Sequence, residues 1–278
     1  SNPESQRLAK EPGVYPVKCI SEEKCGLCIK ACRQQALLFG REKIAGIDRS
    51  RCVGCLKCVE ACPSGALKAW GEDMSVSDVM AVIEKDRNYY ERSGGGVTVS
   101  GGDPLMQSDF TRELLKACRD AGIHTCLEST FNIDWKIAED VVRYADLIIS
   151  DIKHMDSEIH RKYTGAGCEK VLENLRRLAL DGHDMILRIP LIPGINDDMQ
   201  NISRTADFIE QNIGERLKTL QLLSFMRMGE EKCMSLDRVY EMKDLEFDRE
   251  EFQEKVEKIA GYFNDRGIHC VVGTKEKE

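Results

Sequence analysis

Eight cysteines crowd into one 44-residue stretch: Cys19, Cys25, Cys28, Cys32, Cys52, Cys55, Cys58 and Cys62. From Cys52 the chain reads CVGCLKCVEACP, a C-x2-C-x2-C-x3-C run closed by Pro63. Three thiolates at two-residue intervals on a tight loop can wrap three corners of a [4Fe–4S] cubane, with metal–sulfur bonds of about 2.3 Å. A fourth ligand from the same short loop would be strained, so it is expected from elsewhere in the chain.

A second copy of the run supplies that ligand. Shifted by 30 residues, Cys25, Cys28 and Cys32 fall on Cys55, Cys58 and Cys62, and Ala31, Ala36 and Leu37 fall on Ala61, Ala66 and Leu67. Only the first ligand is out of step, because Cys19-x5-Cys25 replaces the x2 spacing. This is the repeat of a pseudo-twofold, ferredoxin-like module, in which the last cysteine of each run ligates the other cluster. One cluster is therefore assigned to Cys19, Cys25, Cys28 and Cys62, and the other to Cys52, Cys55, Cys58 and Cys32. Two structural zinc sites are the competing reading. The third in-register cysteine and the trailing proline fit a cubane better. The apolar pieces Ala36–Phe39 and Ala66–Trp70 are expected to be short strands covering the clusters.

The remaining chemistry-bearing residues recur at the ends of apolar runs. Strands are expected at Val97–Ser100, Ile123–Glu128, Asp146–Ile152, Met185–Leu191, Lys218–Leu223 and His269–Val272, with helical patterns near Phe110–Ala121, Trp135–Tyr144, Glu169–Asp181, Met199–Ile213 and Asp248–Phe263. Ser75-x-x-Asp78 reads as a capping box, and Gly122 and Gly182 sit where helix-terminating glycines belong. Strand–helix alternation implies a parallel sheet, either doubly wound or an open or closed barrel. Ligands bind such sheets at the C-terminal strand ends. There the chain places Gly101-Gly102-Asp103, Glu128-Ser129-Thr130, Asp151-Ile152-Lys153, Arg188 with its Pro-Gly turn, and Ser224 to Gly229. Glycines let backbone approach a ligand closely. Asp103 could meet an ammonium group, Asp151 a sugar hydroxyl and Lys153 a carboxylate. Arg188, on an otherwise apolar strand, needs an anionic partner.

Composition bounds the rest. The chain has 278 residues, 13 cysteines, 40 basic and 48 acidic side chains and a net charge of −8. A small disulfide scaffold would be shorter and cysteine-dense throughout. The acidic balance and the lack of a Lys/Arg block argue against nucleic acid. No apolar run approaches a membrane span. The opening residues show no charged, then apolar, small-residue leader pattern, so secretion is not expected. A cytoplasmic monomer is expected. Cys118, Cys126 and Cys270 read as core residues, Cys168 and Cys233 as loop residues, and the acidic stretch Glu241–Glu257 as a solvated helical face.

The motifs SNPES, GGGVTVSGGDPLMQ, GIHTCLE, DIKHMD, EKVLENLRRLA, RIPLIPGIND and MRMGEEK, with the double cluster run, resemble the activating enzymes of glycyl radical enzymes. These form a branch of the radical S-adenosylmethionine (SAM) superfamily. The resemblance implies a partial barrel of six βα units with a ferredoxin-like insertion. It implies that Gly101, Gly102 and Asp103 hold the SAM amino group, Asp103 replacing the family's Glu. It gives Asp151, Ile152 and Lys153 the ribose and methionyl carboxylate, Glu128 and Ser129 a cation site beside SAM, and Arg188 a further role at the site. Met226 stands where many relatives carry a SAM-contacting His. The implied partners are a glycyl radical enzyme and a flavodoxin or ferredoxin reductant.

The superfamily's C-x3-C-x2-C loop, which holds a third, SAM-cleaving [4Fe–4S] cluster, is absent from the sequence. In the family a SNPE-like segment follows that loop, so the expectation is a cut just before Ser1. Residues 1–12 would then be a remnant of the loop, 13–73 the two-cluster domain and 74–278 a barrel portion lacking its first strand. The chain as given is expected to hold two clusters, about eight irons, and not to cleave SAM. The alternative is a two-cluster electron carrier on an α/β scaffold. A flavoprotein would need a flavin-phosphate loop at a strand end, and none is evident.

Overall fold

The computed structural model describes residues 9–273, so the SNPES segment lies outside the described residues. The chain divides into two compact units, Ser1–Met74 with Arg227–Leu245, and Ser75–Met226 with Glu246–Glu278.

In the first unit the 30-residue repeat is visible in the backbone. Helices α1 (Leu27–Ala31) and α2 (Lys57–Glu60) start from Gly26 and Leu56, repeat-related residues that share the left-handed conformation at φ 58° and 57°. Gln35 and Gly65, again 30 apart, do the same at φ 48° and 67°. One copy uses glycine and the other accepts a non-glycine penalty of about 1 kcal/mol, so the loop geometry overrides the local preference twice. Strand β1 (Glu11–Val14) pairs antiparallel with β4 (Leu67–Trp70), and β2 (Leu37–Phe39) with β3 (Ile44–Ile47). Val14, Ala36, Ile44, Ile47, Ala66 and Leu67 form a small core against which six of the eight cysteines pack directly or in part.

Residues 227–245, which the sequence pattern placed with the larger body, join this unit. They contain a short helix, α10 (Glu230–Ser235), that includes Cys233, so Cys233 is helical rather than in a loop. The following residues, 236 to 248, are turns and irregular chain. The acidic stretch becomes helical only from Arg249. Arg238 holds the buried Glu11 at 2.8 Å, and Arg49 bridges Glu11 and Asp237. Gly13 is required here, since a Cβ would lie 2.4 Å from the Trp70 indole nitrogen.

The second unit is a six-stranded, all-parallel sheet: β5 (Gly96–Val99), β6 (His124–Glu128), β7 (Leu147–Asp151), β8 (Met185–Leu191), β9 (Leu217–Ser224) and β10 (Cys270–Val272). The strands lie side by side in chain order. A doubly wound sheet reverses direction at a switch point, so the sequential order decides for a partial-barrel winding. The helices are α3 (Val76–Ile83), α4 (Arg87–Ser93), α5 (Ser108–Asp120), α6 (Trp135–Val142), α7 (Ser157–Thr164), α8 (Glu169–Leu180), α9 (Met199–Asn212) and α11 (Arg249–Asp265). Ser75 and Asp78 form the expected capping box, and Gly122 and Gly182 take left-handed φ after α5 and α8. At Gly96 the strands approach so closely that a Cβ would sit 1.9 Å from the His124 carbonyl oxygen. Leu127, Ile148, Leu187, Leu220 and Phe263 are fully buried in the sheet–helix core. Cys118, Cys126 and Cys270 are buried as expected; Cys168 is buried too, at the start of α8.

Candidate functional sites

The eight module cysteines separate into two groups around two cavities. A cavity of about 200 Å³ is lined by Cys32, Cys52, Cys55 and Cys58, with Pro12, Ile47, Leu56 and others. A smaller one, about 20 Å³, is lined by Cys19, Cys25, Cys28 and Cys62, with Phe39, Ile44 and Leu67. Each group takes its fourth cysteine from the other repeat, through Cys32 and Cys62.

The thiols sense the same grouping. The Cys58 thiol is pushed up to about 11, first by burial and then by Cys32, Cys52 and Cys55 beside it. Burial also raises Cys28, followed by Cys62 and Cys19. For Cys62 burial acts upward, but the Ser64 hydroxyl and main-chain amides outweigh it and the thiol is lowered. Among the described residues, no three His, Cys, Asp or Glu side chains converge on the point of a single metal ion. Thiols that line a cavity suit a multi-iron cubane, which spans several ångströms, better than a tetrahedral zinc.

The second constellation sits at the C-terminal ends of β5 to β7; Arg188, expected at a strand end, lies instead in the middle of β8, where it is in register with Asp151 at the end of β7. Beyond β5, Gly101 adopts φ 140° and Asp103 caps the turn at Pro104–Gln107. The Asp103 carboxylate accepts from Leu105 N (3.0 Å), the Ser129 hydroxyl (2.8 Å), Thr130 N (3.0 Å) and the Thr130 hydroxyl. At the end of β6, Glu128 pairs with Arg188 of β8 at 3.1 Å. At the end of β7, Lys153 Nζ lies 2.6 Å from Asp151 Oδ2, with Ile152 buried between them. Arg188 also donates to Gln221 Oε1 on β9 at 3.0 Å. The anionic partner that Arg188 required is thus Glu128. Met226 lies beyond β9 and is 55% exposed.

Three supporting residues were given no role by the sequence. Asn196, 3% exposed, donates to the carbonyls of Lys153 and Pro190 and accepts from Ile192 N, tying the DIK segment to the RIPLIPGIND turn. Asn174 on α8 donates to the carbonyls of Phe131 and Ile133. His154 is buried, and its Nδ1 accepts from Asp156 N. The available signal was a polar residue at a core position of a helical or loop pattern, and sequence alone does not say what such a residue holds.

The sequence matches the radical SAM superfamily over residues 56–206 and a 4Fe-4S dicluster domain over residues 18–66. It is 55% identical, over its whole length and 88% of the relative, to the (2S)-3-sulfopropanediol dehydratase activating enzyme of Klebsiella oxytoca. Identity is 37% to the isethionate sulfite-lyase activating enzyme of Desulfovibrio desulfuricans, covering 90% of this chain and 80% of that one. It is 35% to the 4-hydroxyphenylacetate decarboxylase activating enzyme of Clostridioides difficile, covering 98% and 85%. Among solved structures, a domain of a pyruvate-formate lyase-activating enzyme from Bacteroides vulgatus superposes with a TM-score of 0.53 at 29% identity, over 65% of this chain and 99% of that one. Streptococcus suis SuiB shares the fold, with a TM-score of 0.54 at 13% identity over 74% of this chain and 45% of that one. With its parallel βα sheet, its paired cysteine runs and this chain-long kinship, the protein belongs to the radical SAM superfamily and, within it, to the activating enzymes of glycyl radical enzymes.

Proposed function

We propose that this activating enzyme serves a glycyl radical dehydratase that acts on (2S)-3-sulfopropanediol or a close analogue. The support is the 55% identity spanning the whole chain, against 35–37% for relatives whose names give other partners. In this family, reductive cleavage of SAM supplies the radical that removes a hydrogen from a glycine of the partner. The residues of this chain bind, orient and shield.

The observation that carries the site is the clustering of Gly101, Gly102, Asp103, Glu128, Ser129, Asp151 and Lys153 at the C-terminal ends of three adjacent parallel strands, with Arg188 of mid-β8 in register with Asp151. Lys153 supplies the cation for a methionyl carboxylate. Asp151 keeps one oxygen for a ribose hydroxyl beside its bond to Lys153. Glu128 and Ser129 flank the position of a cation, and Ile152 contributes buried backbone. Met226 offers a thioether and apolar surface where a His would offer a hydrogen bond.

The two cysteine groups hold two [4Fe–4S] clusters. Arg33 and Lys57 line the larger cavity and no carboxylate does, which suits an acidic one-electron donor such as a flavodoxin or ferredoxin. The C-x3-C-x2-C loop is not among these 278 residues, so residues 1–278 alone would load about eight irons and leave SAM intact. Among the described residues no helix is long and apolar enough to cross a membrane; we place the protein in the cytoplasm, as a monomer. Anaerobic incubation with SAM, a reductant and each candidate partner tests the assignment. A glycyl radical should form on the sulfopropanediol dehydratase faster than on isethionate sulfite-lyase. Equal or reversed rates would remove the assignment.

A further inference from the structure

We infer that Asp103 is a positioning residue that locks the ends of β5 and β6 together, its carboxylate taken up by its own chain rather than held open for the SAM ammonium. The inference rests on reading these strand ends as the SAM site. An ionised carboxylate offers about four lone-pair positions, and in Asp103 the chain fills all of them. Oδ1 takes Leu105 N and the Ser129 hydroxyl, and Oδ2 takes both the amide and the hydroxyl of Thr130. An ammonium could bind this carboxylate only by displacing a protein donor. Ser129 is 5% exposed, so a displaced hydroxyl there would find little water to replace the bond.

The donors are themselves held from behind. Phe131 has a left-handed backbone, φ 53°, although it is neither glycine nor asparagine. Such a conformation persists only where the surroundings over-determine it. Here the ring is fully buried, Phe131 N donates to Ser129 Oγ at 3.0 Å, and the Phe131 carbonyl accepts from Asn174 at 2.9 Å. Asn174 is 2% exposed, and its amide also donates to the Ile133 carbonyl at 2.8 Å. A continuous line therefore runs from Asn174 on α8 through Phe131 to Ser129 and Thr130, and on to Asp103 and the glycine turn.

The short side chain is part of the device. Asp103 closes on Leu105 N two residues ahead while reaching Thr130. A Glu has an extra methylene, and its carboxylate would overshoot one partner or the other.

The test uses cluster-reconstituted protein expressed from its complete reading frame. It pairs thermal unfolding with equilibrium dialysis of labelled SAM for Asp103→Asn, Asp103→Glu, Thr130→Val, Asn174→Ala and the Asp103→Asn/Thr130→Val double. The positioning role predicts that Asp103→Glu lowers Tm by several degrees and weakens SAM binding about tenfold. Asn174→Ala, which alters no ligand-facing group, weakens SAM binding by a similar factor. In the double variant the two Tm losses fall well short of additive. Asp103→Glu with wild-type Tm and SAM affinity, or additive losses in the double, would overturn the proposal. Lys153→Ala separates the two readings: if it leaves SAM binding unchanged, the site assignment fails, and the Tm cycle still decides whether Asp103 is a brace.

Discussion

Arg188 on β8 reaches past β7 to Glu128 at the end of β6, 3.1 Å away, rather than to Asp151, its register partner on the neighbouring strand. Asp151 is already bound to Lys153, so the four charges settle into two ion pairs, one at the end of β7 and one spanning it from β8 to β6. Each pair is partly exposed, with Arg188 at 19% and Glu128 at 37%. Screening at such exposure makes each pair worth little to stability, about 0–1 kcal/mol. Their value lies in fixing charge where a zwitterionic ligand would meet it.

Arg188→Met should therefore lower unfolding free energy by only about 1–2 kcal/mol, from the ion pair and the lost bond to the buried Gln221, while weakening SAM binding about tenfold or more. Urea unfolding and equilibrium dialysis measure the two effects separately. A large stability loss with intact SAM binding would reassign Arg188 to the scaffold.

Asn196 behaves in the opposite sense. Its amide makes three hydrogen bonds at 2.8–2.9 Å from a buried position. Asn196→Ala leaves two carbonyls and one amide to find new partners, and should cost about 2–3 kcal/mol in urea unfolding. SAM affinity should fall with it, because the Lys153 carbonyl is one of the groups released.

The crossed cysteine grouping makes a pairing prediction. Cys25→Ser with Cys62→Ser should remove one cluster and leave about four irons. Cys25→Ser with Cys32→Ser should damage both. Iron analysis of the reconstituted pairs distinguishes crossed from uncrossed ligation, since uncrossed ligation predicts the reverse.

Much of the scaffold was legible in the sequence because each βα unit carries its own punctuation. The Ser75–Asp78 box, Gly122 and Gly182 mark helix ends locally, and all six parallel strands lie within a few residues of the apolar runs. The 30-residue cysteine repeat was legible for the same reason, since ligand spacing is local. The short helices Ser157–Thr164 and Glu230–Ser235, and the pairing of β1 with β4, were not. The helices are polar and too short for periodicity to mark, and β1 reads Glu-Pro-Gly-Val, which contradicts strand propensity. Its partner and the Arg49–Glu11–Arg238 bridges come from residues far along the chain. The bracing of Asp103 was equally invisible, because a carboxylate that faces a ligand and one saturated by its own chain look alike in sequence.

Stability should depend on pH through His154. Burial lowers its pKa below the ordinary 6.5, against the upward pull of Asp198 and Asp156. The unfolded chain then binds a proton near pH 6.5 that the folded protein refuses. Stability is fully present above that value and falls as pH drops below it toward the folded pKa. His154→Asn, whose Oδ1 can still accept from Asp156 N, should flatten the loss between pH 7.5 and pH 5.5 in urea titrations. An unchanged slope would show that other groups set it.

The most direct measurement is electron paramagnetic resonance of the partner after anaerobic reaction. Protein expressed from its complete reading frame is mixed with SAM, a one-electron reductant and the sulfopropanediol-type glycyl radical enzyme. The account predicts a glycyl radical doublet on the partner, with 5′-deoxyadenosine formed in step with it, and loss of both on Lys153→Ala. Clusters that reduce normally while the partner stays radical-free and SAM stays intact would contradict it.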